Sequence, residues 1–391
     1  MATETEAEFS LVRGDRLFRL QRAVGLIPPD GLGIGRRALF WAVVTWLPTA
    51  LWAAAMGRAF PGAVAEPLLQ HFAVHVVCLV AIPLLIVAEG VAQGVGMRLI
   101  PHFVRSGLVA GAARERFVTI VRDVVSLRDS WYPWVVVVGI VAAWTIASPA
   151  AWETHEVVWA VEGPSVAPSL GFGGWWFRYV VRPVYVVLLL AWVWRLALLT
   201  ILLWRVARLD LSLVPTHADR AAGLGFLEGV PTAFAPVAFA LSAVIAARWG
   251  HETLYHGVHL ASFKLPLVAL VVVLAFALLL PLMVFAPVLA GAKRRALLEY
   301  GALVGEHGRL VRRRWILREP LREAEVLDAP EIGPVADTIS LYEAVTRMRA
   351  APVGRRSLVP IALAIAVPML PVVAIEIPIK DALLKLLQAV L

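Results

Sequence analysis

Seven stretches of the chain run almost wholly apolar, at 38–56, 72–91, 131–148, 184–204, 230–247, 265–290 and 358–375. Each meets or approaches the about 20 residues that a helix, rising about 1.5 Å per residue, needs to cross about 30 Å of hydrocarbon. Positions 135–138 and 268–280 are apolar on consecutive residues. A barrel strand would alternate apolar with polar, so the pattern predicts helices. The expected fold is all-α: a polytopic membrane helix bundle of about seven transmembrane helices.

The connections add amphipathic helices. Within 98–129, Phe117, Ile120, Val121 and Val124 share one helical face, with Arg116, Arg122 and Asp123 elsewhere around the turn. That predicts a helix lying on the membrane or against a partner helix. After the last span, Ile379, Leu383, Leu386 and Val390 fall opposite Asp381, Lys385 and Gln388, which predicts a C-terminal interfacial helix. The chain thus divides into a basic N-terminal segment (1–37), a six-span membrane region (38–290), a second helical connection (291–357), and a seventh span with its amphipathic tail (358–391).

Composition agrees. Of 391 residues, 60% are hydrophobic and 16% charged, against about 25% charged in soluble domains. The net charge of +8 is a topology signal, because 28 of the 36 Lys and Arg residues fall in one set of alternate connections and seven in the other, with Arg195 inside a span. The positive-inside rule then places the N-terminus in the cytoplasm and the C-terminus outside, in a bacterial inner membrane. The triplets Lys293-Arg294-Arg295 and Arg312-Arg313-Arg314 read as headgroup anchors, and no nucleic acid partner is expected. The bilayer and further copies of the chain, in a homo-oligomer, are the expected partners. Cys78 is the single cysteine, so no internal disulfide forms; it reads as a small buried hydrophobe.

A few residues are expensive to bury. Arg195 lies near the centre of the window 184–204, where a guanidinium costs about 2.5–3.5 kcal/mol, so it requires a partner or water. Glu89 and Glu228 are the candidate partners, the alternative being that Arg195 snorkels to the inner headgroups. Glu376 follows the last apolar residue of the final span and reads as an interfacial acid. Pro83, Pro183, Pro231, Pro236, Pro266, Pro281, Pro287, Pro360, Pro368 and Pro371 stand in or beside spans. Each frees a carbonyl one turn back and permits a kink or a broken helix.

Histidines crowd the outer connections. In His251-Glu252-Thr253-Leu254-Tyr255-His256-Gly257-Val258-His259, the side chains of Glu252, His256 and His259 have i, i+4, i+7 spacing, with His71 and His75 as possible further ligands. Imidazole with carboxylate suits zinc or copper. The protease pattern H-E-x-x-H is not met, since the second His comes one position late. The plain reading is solvated loop histidines, with no metal and no cofactor.

The turn between the fourth and fifth spans reads Pro215-Thr216-His217-Ala218-Asp219-Arg220-Ala221-Ala222-Gly223-Leu224-Gly225. Its His217, Asp219 and Arg220 can grip a phosphate headgroup or relay protons, and equally form a plain turn returning to the membrane. Here the chain resembles a family of uncharacterised bacterial polytopic membrane proteins with a Thr-His-x-Asp-Arg-Ala-x-Gly-Leu turn. The similarity extends through Leu254-Tyr255, Phe263-Lys264, Ala292 to Arg295, Glu299 to Ala302, and Ser340-Tyr342-Glu343 to Met348-Arg349. It covers roughly the C-terminal half and implies no activity. The sequence points to a channel-like or transporter-like role for a small ion or solute. An enzyme of lipid or phosphate headgroups at His217, Asp219 and Arg220, and a scaffold or sensor docking a cytoplasmic partner, are the alternatives.

Overall fold

The computed structural model describes residues 10, 12–29, 31–62, 64, 66–147, 157–162, 169–318 and 333–376. A short helix α1 (Arg16–Ala23) precedes α2 (Ile34–Ala55), α3 (Phe72–Arg105), α4 (Ala112–Asp129) and α5 (Tyr132–Ala147). A two-stranded antiparallel ribbon, β1 (Val161–Glu162) with β2 (Ser169–Leu170), leads into α6 (Phe172–Val206). A 3-10 helix (Gly225–Ala233) and α7 (Ala235–His256) follow, then α8 (Leu260–Met283), α9 (Ala286–Val311), α10 (Gly333–Thr346) and α11 (Arg355–Glu376).

Among the described residues six helices are long and apolar enough to cross a membrane, α4 and α5 counting together, and the 3-10 helix with α7, bent by 40°, makes a seventh. The protein is an all-α, multi-pass integral membrane protein. Its lipid-facing side is apolar rather than polar: Leu265, Val268, Val272, Val273 and Phe276 of α8 are all exposed. A patch of that kind is unfavourable in water and suited to hydrocarbon.

α3 and α6 are the central pair. Each is over 30 residues long, about 50 Å at 1.5 Å per residue, and so outreaches the bilayer. Each contains a five-residue π turn, Val77–Ala81 in α3 and Phe177–Val181 in α6, placed just before Pro83 and Pro183. Proline has no amide hydrogen and its ring crowds the carbonyl of the preceding turn; widening that turn relieves the crowding without breaking the helix. The Trp192 indole N–H of α6 donates to the Leu85 carbonyl of α3 at 2.9 Å, and Leu198, Leu202, Ile82 and Ile86 are fully buried in the same core.

Two expectations change. The apolar stretch 265–290 is broken at Val284 and Phe285: α8 stops at Met283, and α9 restarts with Pro287 in its first turn, carrying the Lys293 triplet away from the span. The connection 98–129 is two elements, because α3 continues to Arg105 and glycines at 107 and 111, both with positive φ, turn the chain before α4. The apolar face of α4 meets protein, with Phe117, Val121 and Val124 buried and Phe117 packed 5.7 Å from the Phe103 ring. The predicted C-terminal helix lies outside the described residues, as does the Glu376 side chain at the end of α11.

Tight packing at Gly173 joins α6 to α2. A Cβ there would strike the Trp52 ring and come within 2.8 Å of Trp159 Cζ3. Gly173→Val should therefore lower stability by about 1–3 kcal/mol through overpacking, read as a lower unfolding midpoint in detergent. Gly139→Ala, where the added Cβ meets nothing within 4 Å, should cause no loss.

Candidate functional site

Arg195 is buried at 2% exposure, and its charge is compensated by two acids. Its NH2 donates to Glu89 Oε1 of α3 at 2.9 Å and to Asp15 Oδ2 of the N-terminal segment at 2.7 Å. The other Glu89 oxygen accepts from Arg37 NH1, and Arg37 Nε donates to Gln21. The Arg195 guanidinium also lies 4.9 Å over the Trp192 ring. Two acids and two arginines thus close a neutral network inside the bundle, the arrangement that makes buried charge tolerable. Arg37 lies three residues from the start of α2, about 4.5 Å along its axis, so the network joins the first turn of α2 to Glu89 of α3 and Arg195 of α6.

The network is completed by the segment before α1. Asp15 Oδ1 caps α1 by accepting the Phe18 amide at 2.6 Å while Oδ2 meets Arg195. Ser10 bonds Gln93 through its hydroxyl and accepts from Arg128 NH1 through its carbonyl. A segment reading as a basic tail is thereby drawn into the bundle. Glu228 is not part of this network. It forms an ion pair with Arg349 and its carbonyl accepts from Ser357 Oγ at 3.1 Å, joining the 3-10 helix to the start of α11.

The Thr216 to Gly225 turn is built around Asp219. Its Oδ1 accepts the Ala221 and Gly223 amides at 2.8 and 3.2 Å, and Oδ2 accepts Gly225 at 2.7 Å. This cradle holds Arg220 and Ala222 at positive φ, a conformation costly for side chains with Cβ. Burial alone would raise the carboxyl pKa, but the amides of Ala221, Gly225 and Gly223 outweigh it and His217 adds to them, so Asp219 titrates below its usual range. Arg349 locks the turn from α11's side, its NH2 donating to the Asp219 carbonyl at 2.8 Å and its amide to Arg220 O at 2.7 Å. With its carboxylate committed to the backbone, Asp219 is a structural acid.

Around this turn lies a cleft of about 530 Å³ lined by His102, His217, Asp219, Glu228, Arg349 and Arg356 among others. A second hollow of about 370 Å³ shares His102 and Phe226 with it and extends to Arg98, Gly229 and Thr232. Together they run along α3 to the 3-10 half of the broken span. Asp219 is engaged by backbone amides and His217, and Glu228 by Arg349, which leaves Arg98 and Arg356 as further cations along the lining.

At the opposite end, His75 is satisfied on both nitrogens, accepting from Trp46 Nε1 at 2.9 Å and lying 3.0 Å from the Leu68 carbonyl. Glu252 turns to Arg248 at 3.2 Å. His71, His251 and His256 instead gather about Glu66, at 3.7, 3.5 and 3.6 Å. Burial and the neighbouring His251 bring the His71 pKa down to about 4.

Sequence reasoning found Glu89 but missed Asp15 and Arg37. The available signal was Asp15 as a helix cap ahead of Phe18. His251 was passed over for Glu252 because α7 continues through the supposed loop to His256. Comparison with protein-family models, curated proteins and solved structures finds no match to this chain.

Two outcomes follow from this geometry. Arg195→Ala leaves Asp15 and Glu89 with Arg37 as their one buried cation and should cost about 3–5 kcal/mol, whereas the double change Asp15→Asn with Arg195→Met, which keeps the Glu89–Arg37 pair, should cost much less; unfolding midpoints decide. For Asp219, a folded pKa below the ordinary 3.8 means its contribution is complete above that value and fades as pH falls through the folded pKa. The stability gap between wild type and Asp219→Asn should hold steady from pH 7 to 5 and close below pH 4.

Proposed function

We propose that the protein is a transporter-like carrier of a small anionic solute in a bacterial inner membrane, with its N-terminus and the basic cleft facing the cytoplasm. One observation carries this reading: the cleft opens against a broken span. Gly225–Ala233 and Ala235–His256 meet at Phe234 with a 40° bend, and the hollow lined by Gly229 and Thr232 lies at the 3-10 half. Half-helices of this kind, lining a cavity with unwound backbone, are the usual way that transporters build a solute site at membrane depth.

The surplus of donors sets the charge preference. Arg98, His102 and Arg356 border the two hollows, while the acids there are held by backbone amides and His217 and by Arg349. The buried network stands close by, since Val95 at the end of the second hollow is six residues from Glu89, about 9 Å of helix. The rival enzyme reading gains less support, because the Asp219 carboxylate is directed at three amides.

Flux measured in proteoliposomes tests the proposal. Wild type should pass small anions above the rate of empty liposomes and exclude cations of like size. Arg98→Ala with Arg356→Ala should raise the half-saturating concentration about tenfold per lost charged contact, or ~1.4 kcal/mol. Folded protein that moves no anion in either direction overturns the reading.

A further inference from the structure

The end of the bundle opposite the cleft carries the most specific unassigned chemistry. Glu66 stands in the connection between α2 and α3, His71 immediately precedes α3, and His251 lies one and a half turns before the end of α7. One ligand atom from each falls within 4.8 Å of the others. His71 and His251 are 4% and 8% exposed, so neither is the solvated loop histidine that their sequence context suggests.

Each of the three presents a buried atom that makes no hydrogen bond: Glu66 Oε2, His71 Nε2 and His251 Nε2. Burying such atoms unpaired costs about 1–3 kcal/mol apiece, and native proteins seldom tolerate several at one point. Their convergence calls for something that accepts lone pairs from all three. The separations agree with a metal. At bond lengths of about 2.0–2.1 Å, tetrahedral ligand atoms lie about 3.3–3.4 Å apart, and Glu66 Oε2 is 3.5 Å from His251 Nε2 and 3.7 Å from His71 Nε2.

The His251 ring is also held in the way that ligating histidines are. His251 Nδ1 lies 2.9 Å from the Gln70 carbonyl, which fixes the proton on Nδ1 and leaves the Nε2 lone pair aimed at Glu66. Carbonyl bonds of this kind orient metal-binding imidazoles. The two rings stack at 4.8 Å, and His256 Nε2 lies 3.6 Å from the second Glu66 oxygen, Oε1, where it flanks the fourth position.

We infer that Glu66, His71 and His251 form a binding site for a divalent transition cation of the Zn²⁺ class, with His256 at its open side. Two imidazoles and one carboxylate are a borderline donor set that suits Zn²⁺ over Ca²⁺ or Mg²⁺, which take oxygen. The site stands whether or not the cleft carries solute, since no residue is shared between them.

The test uses full-length protein in nanodiscs, purified with a tag that contains no histidine. After equilibrium dialysis against Zn²⁺ and elemental counting, wild type should hold one saturable ion per chain, and Co²⁺ in its place should give the visible absorption of a four-coordinate centre. Glu66→Gln, and separately His71→Ala with His251→Ala, should weaken binding at least about 100-fold, while His259→Ala leaves it unchanged. Glu66→Gln preserves side-chain volume, so an unfolding midpoint in chelator equal to wild type separates loss of a ligand from loss of fold. Absence of saturable Zn²⁺ in folded wild type, or wild-type affinity in folded Glu66→Gln, overturns the site.

Discussion

A buried guanidinium charge needs a counter-charge in a low-dielectric interior, and the packing of the N-terminal half follows from how the charge of Arg195 is neutralised. One carboxylate would neutralise it. Two are present, Glu89 and Asp15, and the second acid brings a second cation, Arg37, against Glu89. The closed set of four ties α2, α3 and α6 to a segment that precedes every span. Such networks add little net stability over apolar packing of the same volume, but each member is costly to remove alone. What they confer is register: α3 and α6 cannot slide past one another, nor can the Asp15 segment leave, without exposing a bare charge to hydrocarbon.

Proline governs the rest of the framework, through the amide it lacks. At Pro83 and Pro183 the helix accommodates by a widened turn and continues. At Pro231 and Pro236 a tight 3-10 turn meets an α-helix at 40°, and at Pro287 one helix ends and another begins. The difference lies in what else satisfies the freed groups. Within α3 and α6 the neighbouring turns suffice. At the broken span, Glu228 and Ser357 stitch the half-helix to α11, and a cleft opens where the backbone no longer fills the space.

Hydropathy made the spans legible because lipid allows a backbone few ways to pair, and a run of apolar residues has almost no other reading. Boundaries were less legible. The stretch 265–290 is apolar throughout, yet Phe285 is buried at a corner between α8 and α9, and hydropathy does not distinguish a corner from a span. Ion partners were least legible of all, since Asp15 and Arg195 are 180 residues apart and nothing local links them. The Asp219 turn shows the opposite case. Its residues are adjacent in sequence and look chemically able, but local amides consume the carboxylate, and reactivity inferred from residue type gives way to backbone hydrogen bonding.

The histidine cluster combines both lessons, and helix electrostatics explains why it needs an acid. His251 and His256 stand near the C-terminus of α7, where unpaired carbonyls favour a cation, but His71 stands at the N-terminus of α3, where unpaired amides oppose one. A divalent ion held by two neutral imidazoles would feel nearly cancelling helix fields and keep its full charge in a buried place. Glu66 removes one unit of that charge and turns the balance toward binding. The connection between α2 and α3 therefore has a reason to fold back over α7: it delivers the one carboxylate that both helix ends require.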